Sequence, residues 1–103
     1  MDKQKEEKRN SELKPVLVRT FSAGVHFGYL VSHQDKQVVL TNTRRIWRWV
    51  GANTLNEIAS KGLDINQSRV SEPAAEIVLT EAIEILTVSP EAEKILLEAK
   101  WAQ

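Results

Sequence analysis

The chain of 103 residues has no cysteine, so it can form neither a disulfide framework nor a thiolate metal centre. Its two histidines, His26 and His33, read as lying on different parts of a hairpin and are too few for a histidine-built zinc site. No metal and no cofactor is expected. Nowhere do eighteen apolar residues follow one another, and the first residues hold no apolar run of the signal-peptide kind. A soluble protein without membrane contact is therefore expected, cytoplasmic by default. Net charge is absent too, with 14 Lys/Arg against 14 Asp/Glu, which argues against a uniformly basic polyanion binder. A chain of this length makes one domain with a core of at most two layers, too small for a separate catalytic lobe.

The charge balance is uneven along the chain. Residues 1–14 carry five basic against four acidic side chains, residues 15–71 seven against three, and residues 72–103 two against seven. The centre is thus positive and the C-terminal third negative, which can focus a basic patch on a neutral protein or let the acidic part of one subunit dock on the basic part of another. Pairing of those glutamates with the arginines inside one chain is the structural alternative. Together with the small size, the asymmetry leads us to expect a homo-oligomer.

What the sequence does have is concentrated in Thr43–Thr54, TRRIWRWVGANT, which packs Arg44, Arg45, Arg48, Trp47 and Trp49 into one short stretch. Strand alternation puts Arg45, Trp47 and Trp49 on one face and Arg44, Ile46, Arg48 and Val50 on the other. Guanidinium groups beside flat indoles suit an anionic ligand with a ring to stack, because arginine grips phosphate through paired N–H donors and indole offers a π face. Tryptophans on strands are also ordinary core residues with arginines lying over them.

Around this stretch, residues 1–14 read as a polar tail and residues 15–103 as the folded domain. Val16–Phe21 and Val25–Ser32 read as a hairpin, with Val25, Phe27, Tyr29 and Val31 on one face and His26, Gly28 and Leu30 on the other. Gly28 in mid-strand signals a bulge or a close approach to the backbone. Gln37–Thr41 follows as a third strand, and Asn42-Thr43 as a turn into the arginine–tryptophan strand. Asn53 or Thr54 caps a short helix that stops at Lys61-Gly62, and Leu63–Ser71 reads as a loop. Glu76–Thr80 and Ala82–Val88 read as strands, and Ser89-Pro90-Glu91 opens a helix to Lys100, with Trp101 beyond it. The expected class is α+β: an antiparallel meander of four to six strands with two short helices.

The segments VRTFSAGVHFGYL (residues 18–30), VVLTNTRRIWRWVGANTLNEIA (residues 38–59) and EIVLTEAIEIL (residues 76–86) resemble a family of small phage and prophage proteins classed as a domain of unknown function. The resemblance spans residues 15–100. Its pattern of Arg-Thr-aromatic-Ser-Ala-Gly, Arg-Arg-aliphatic-Trp and Gly-Ala is met by Arg19–Gly24, Arg44–Trp47, Trp49, Gly51 and Ala52, with Arg48 standing where tyrosine is common in the family. It implies a phage setting, in the host cytoplasm, and no established activity. Among enzyme readings, Ser22 and His26 share a short hairpin without an elbow or a third member, and the C-terminal glutamates read as solvated faces. A non-enzymatic binding protein is the better expectation. Its candidate ligand residues are Arg19, His26, Arg44, Arg45, Trp47 and Trp49, and its ligand a small anionic nucleotide, a cyclic nucleotide or ADP-ribose-type signal held as an anti-defence sponge holds it. Single-stranded nucleic acid on the same strand is the alternative, and a structural or partner-docking protein using Trp101 and the tail is a third.

Overall fold

The computed structural model describes residues 13–52 and 54–99, so most of the polar tail, Asn53 and Trp101 lie outside the described residues. The elements are β1 (Lys14–Thr20), β2 (Val25–Gln34), β3 (Gln37–Arg48), α1 (Leu55–Lys61), β4 (Arg69–Val70), β5 (Ala74–Leu79), β6 (Ala82–Thr87) and α2 (Pro90–Glu98). This is the expected α+β architecture, one antiparallel sheet of six strands with two helices.

The sheet runs β4-β3-β2-β1-β6, and β5 also pairs with β3. β5 follows the first half of β3, from Val38 to Thr43, and β4 pairs with Ile46 and Arg48 further on. A two-residue turn, Thr80–Glu81, joins β5 to β6 although β6 pairs with β1 at the other end of the strand order. Such a connection makes the sheet curl. The Ala82 N–H donates to the Lys36 carbonyl at 3.0 Å and the Phe21 N–H to that of Glu81 at 2.9 Å, which ties the turns together at this closure. Curling buries both faces: Leu17, Phe27, Tyr29 and Ile46 pack with Ile58 and Leu96 on the helical side, while Val16, Val18, Val38, Leu40 and Leu79 fill the inner side. β1 lies between two partners and two cores, which is why it reads as an unbroken apolar run.

Expected strand limits change at β3. The sequence reading places a turn at Asn42-Thr43, whereas the structure runs one strand of 12 residues through it. Asn42 takes φ 46° as a bulge, and the β2–β3 register slips between the pairs Phe27↔Arg44 and Tyr29↔Thr41. Asparagine tolerates this left-handed conformation, so the same residue that suggests a turn serves a bulge. The slip reverses alternation: Val38 and Leu40 point inward before it, and Thr43 and Arg45 share that side after it, while Arg44 and Ile46 turn to the helices. Gly28 lies opposite, where a Cβ would stand 3.0 Å from Leu40 Cβ and 3.1 Å from Thr43 Cβ. Two further expectations are corrected. The loop at residues 63–71 contains β4, and Val31 leaves the face of Phe27 because a second register slip separates Leu30 from Ser32.

The helices begin where their caps predict. Thr54 Oγ1 accepts from the Glu57 N–H at 3.2 Å, and Ser89 Oγ from the Ala92 N–H at 3.0 Å, with Pro90 in the first turn of α2. Gly62 ends α1 at φ 87°, and a Cβ there would lie 2.8 Å from Ile95 Cδ1. Ser89 joins the two helices, donating its hydroxyl to the Ser60 carbonyl at 2.8 Å and its N–H to that of Ala59 at 2.8 Å. α2 ends at Glu98, before the Lys100 expected, with Ala92, Leu96 and Ala99 buried toward the sheet.

Because Gly28 faces a bulge with no room for a side chain, Gly28→Ala is expected to lower stability by about 1–3 kcal/mol, the usual cost of overpacking. Gly28→Val should cost more. Urea denaturation of the two variants checks this, and an unchanged midpoint for both would refute the close-approach account.

Candidate functional site

The inner side of β3 beyond the bulge ends in a shallow cleft of about 220 Å³ lined by His26, Thr43, Arg45, Ser71, Ala74 and Ile77. Four segments build it, β5 through Ala74 and Ile77. β2 supplies His26, directly opposite Arg45 in the register; β3 supplies Thr43 and Arg45; and the segment between β4 and β5 supplies Ser71. Ser71 is fixed by exchange with β3, since its N–H donates to the Arg45 carbonyl at 2.8 Å and its Oγ accepts from the Arg45 N–H at 2.8 Å. The Thr43 hydroxyl donates to the Phe27 carbonyl at 2.9 Å. Arg45 is exposed, and its guanidinium makes no ion pair among the described residues.

His26 is buried, with Nε2 2.9 Å from the Ala23 carbonyl. A carbonyl only accepts, so Nε2 carries the hydrogen and the neutral ring presents Nδ1 as an acceptor. Burial lowers the pKa below the ordinary 6.5; the Ala23 carbonyl opposes that shift, and the positive charge of Arg45 adds to it. The imidazole is therefore neutral at pH 7.

Two residues beyond Arg45, Trp47 stands 58% exposed with the Arg69 guanidinium carbon 5.8 Å from its ring centroid. This contact is within cation–π range. Arg48 pairs with Arg69 in the β3–β4 register, so β4 adds a cation that sequence reading had placed in a loop. Trp49, expected on the face of Arg45, is half-buried against the helical-side core instead. The register slip between Ile46 and Arg48 and the end of β3 at Arg48 explain its change of side.

The two other candidate arginines are engaged elsewhere. Arg44 is buried under α2: Nη1 donates to the carbonyls of Leu96 at 2.9 Å and Leu97 at 3.4 Å, and Nε to the Ser71 carbonyl at 2.9 Å. The last turn of α2 has no basic residue of its own, so Arg44 supplies the cation that satisfies the helix carbonyls and opposes the helix dipole. Its pKa is lowered by burial. Arg19 Nε lies 3.1 Å from Glu84 Oε1 on β6, a half-exposed ion pair. Ser22 Oγ donates to Glu81 Oε1, and His26 bonds Ala23, so Ser22 and His26 have separate partners. The structure thus brings together His26 and Arg45, with Trp47 beyond them, and keeps Arg19, Arg44 and Trp49 apart from that group. Ser71, Thr43 and Arg69 complete the surface. His26, Arg45 and Trp47 had a sequence signal, the last two in the composition of β3, while Thr43, Ser71 and Arg69 had none.

Two measurements follow from this geometry. Arg44→Met is expected to cost about 2–4 kcal/mol in urea denaturation, since it removes a buried charge and strips the carbonyls of Leu96 and Ser71 of their donor. A loss within error would refute the helix-holding role. For His26, a folded-state pKa below the unfolded value means that the unfolded chain binds the proton better. Its contribution is complete above 6.5 and is lost as pH falls below 6.5 toward the lowered value. The wild type should accordingly lose more stability between neutral and mildly acid pH than His26→Gln does, and parallel losses would contradict this.

Among the described residues no group of three or more histidine and carboxylate side chains is placed to hold a metal ion, and no helix is long and apolar enough to cross a membrane. No curated protein and no solved structure matches the chain. The family model for a domain of unknown function, DUF6948, matches residues 13–96, and with most of its length so covered the chain belongs to that family.

Proposed function

We propose that the surface formed by Arg45, Trp47 and Arg69 captures a small anionic nucleotide, and that the protein acts by holding its ligand rather than transforming it. The observation that carries this reading is Trp47, an indole left 58% exposed on a strand whose other large apolar side chains are mostly buried, with the Arg69 guanidinium over its ring and Arg45 two residues before it on β3. A solvent-exposed indole contributes little to the core, whereas a base stacked on it gains contact area and loses none of its hydration to a misfit pocket. The cleft of about 220 Å³ is smaller than the ~300–1,000 Å³ of usual ligand pockets. It fits a phosphate held by the Arg45 guanidinium, or a ribose whose hydroxyl donates to the acceptor Nδ1 of His26, while the base stays outside on Trp47. A cyclic nucleotide or an ADP-ribose-type signal has these parts. In the phage setting suggested by the sequence pattern, sequestering such a signal in the host cytoplasm is an anti-defence role.

The openness of the Trp47 platform favours a second reading, single-stranded nucleic acid running past Arg48 and Arg69. Calorimetry with ADP-ribose, a cyclic dinucleotide and an oligothymidylate separates the two. For the probe that binds, Arg45→Ala is expected to weaken affinity about 30-fold, on the order of 2 kcal/mol for a charge-assisted phosphate contact, without loss of fold. Trp47→Ala should weaken it as well. Binding by no probe, or full binding by both variants, would reject the site.

A further inference from the structure

A second surface lies around the closure of the sheet and shares no lining residue with the cleft. Phe21 is the most exposed large apolar side chain among the described residues at 79%, and Ile83 at 52% lines with it a groove of about 650 Å³ that Asp35, Lys36, Glu81 and Ala82 complete. The loop that carries Phe21 is held in place. Its N–H donates to the Glu81 carbonyl at 2.9 Å, the Thr20 N–H to that of Gly24 at 3.0 Å, and the Ala23 N–H to Thr20 Oγ1 at 2.8 Å. The opposite wall is anchored by the bond from the Ala82 N–H to the Lys36 carbonyl at 3.0 Å. An aromatic ring displayed on so well-bonded a loop is preorganised for contact, and the entropy of ordering it has already been spent in folding.

The charges around the ring identify the partner. Lys36 stands beside Asp35 and Glu81, and neither Lys36 nor Asp35 joins an ion pair among the described residues. A partner of one sign would leave one of these charges unmatched. A second copy related by a two-fold axis offers both signs, because Lys36 of each meets Glu81 of the other while Asp35 stays at the rim, and such isologous contacts are the commonest in homo-oligomers. We propose that this groove is the interface of a two-fold homodimer, with Phe21 of each copy seated against Ala82 and Ile83 of the second.

Light scattering on a dilution series of the full chain tests this. The wild type is expected to be dimeric, and Phe21→Ser to raise the dissociation constant about tenfold or more, as loss of a central aromatic anchor does. Lys36→Glu and Glu81→Lys should each produce monomers when alone, by setting like charges opposite one another across the axis. Mixed in equal amounts, those two variants should associate with each other, since every crossing pair is then of opposite sign. Far-UV circular dichroism verifies that each variant is folded. A wild type that is monomeric throughout, a Phe21→Ser protein as dimeric as wild type, or folded charge variants that fail to associate on mixing would overturn the proposal. The ligand reading rests on Arg45 and Trp47 and stands or falls separately.

Discussion

One backbone residue decides which arginine does what. Asn42, at φ 46°, adds a position to β3 that β2 does not match, and the side chains from Thr43 to Ile46 change sides. Arg44 is thereby turned under α2 and Arg45 to the face of His26. Neighbours in sequence, identical in chemistry, come to hold a helix in one case and to line an open cleft in the other. Gly28 is the complement of this arrangement, since a Cβ there would press on Leu40 and Thr43 at 3.0–3.1 Å and force them to shift.

The packing of α2 depends on that reversal. The helix is fixed at its start by Ser89, along its first turns by the Tyr29 hydroxyl donating to Glu93 Oε2, and at its end by Arg44. Burial and the neighbouring carboxylate both push the Tyr29 phenol up, so the hydroxyl keeps its proton and remains a donor across the physiological range. Arginine suits the far end for a related reason. Burial lowers its pKa, but a guanidinium starts so high that it stays charged and continues to donate to several carbonyls at once. The site gains rigidity from the same element: Ser71 accepts from Arg44 Nε at its carbonyl and from the Arg45 N–H at its hydroxyl oxygen, so helix anchor and cleft share a residue.

Local signals account for what was legible in the sequence. Thr54, Ser89-Pro90 and Gly62 mark helix ends through bonds made within a few residues, the apolar run of β1 follows from the burial of Val16 to Val18, and β5 and β6 show through β-branching although most of their residues are exposed or half-buried. The misread positions are those decided at long range. Asn42 has the same left-handed preference in a turn as in a bulge, and only pairing with β2 selects between them. Arg69–Val70 is too short to show a pattern and becomes a strand because β3 offers an edge. Arg19 finds its partner 65 residues away in Glu84, and Trp49 is drawn inward by a slip in register that no periodicity reveals. Of the site, the basic and aromatic composition of β3 was visible, while Ser71 and the way β4 brings Arg69 over Trp47 were not.

The pairing of β1 with β6 sets an order of events for a chain made from its N-terminus. β1, β2 and β3 have their antiparallel neighbours within a short span of synthesis, but one edge of β1 waits for Ala82–Thr87. Until those residues leave the ribosome, Val16 to Val18 present an unsaturated row of backbone donors and acceptors flanked by hydrocarbon. That edge of the nascent protein stays adhesive until β6 arrives, and this pairing works as a seal that withdraws the surface late in folding.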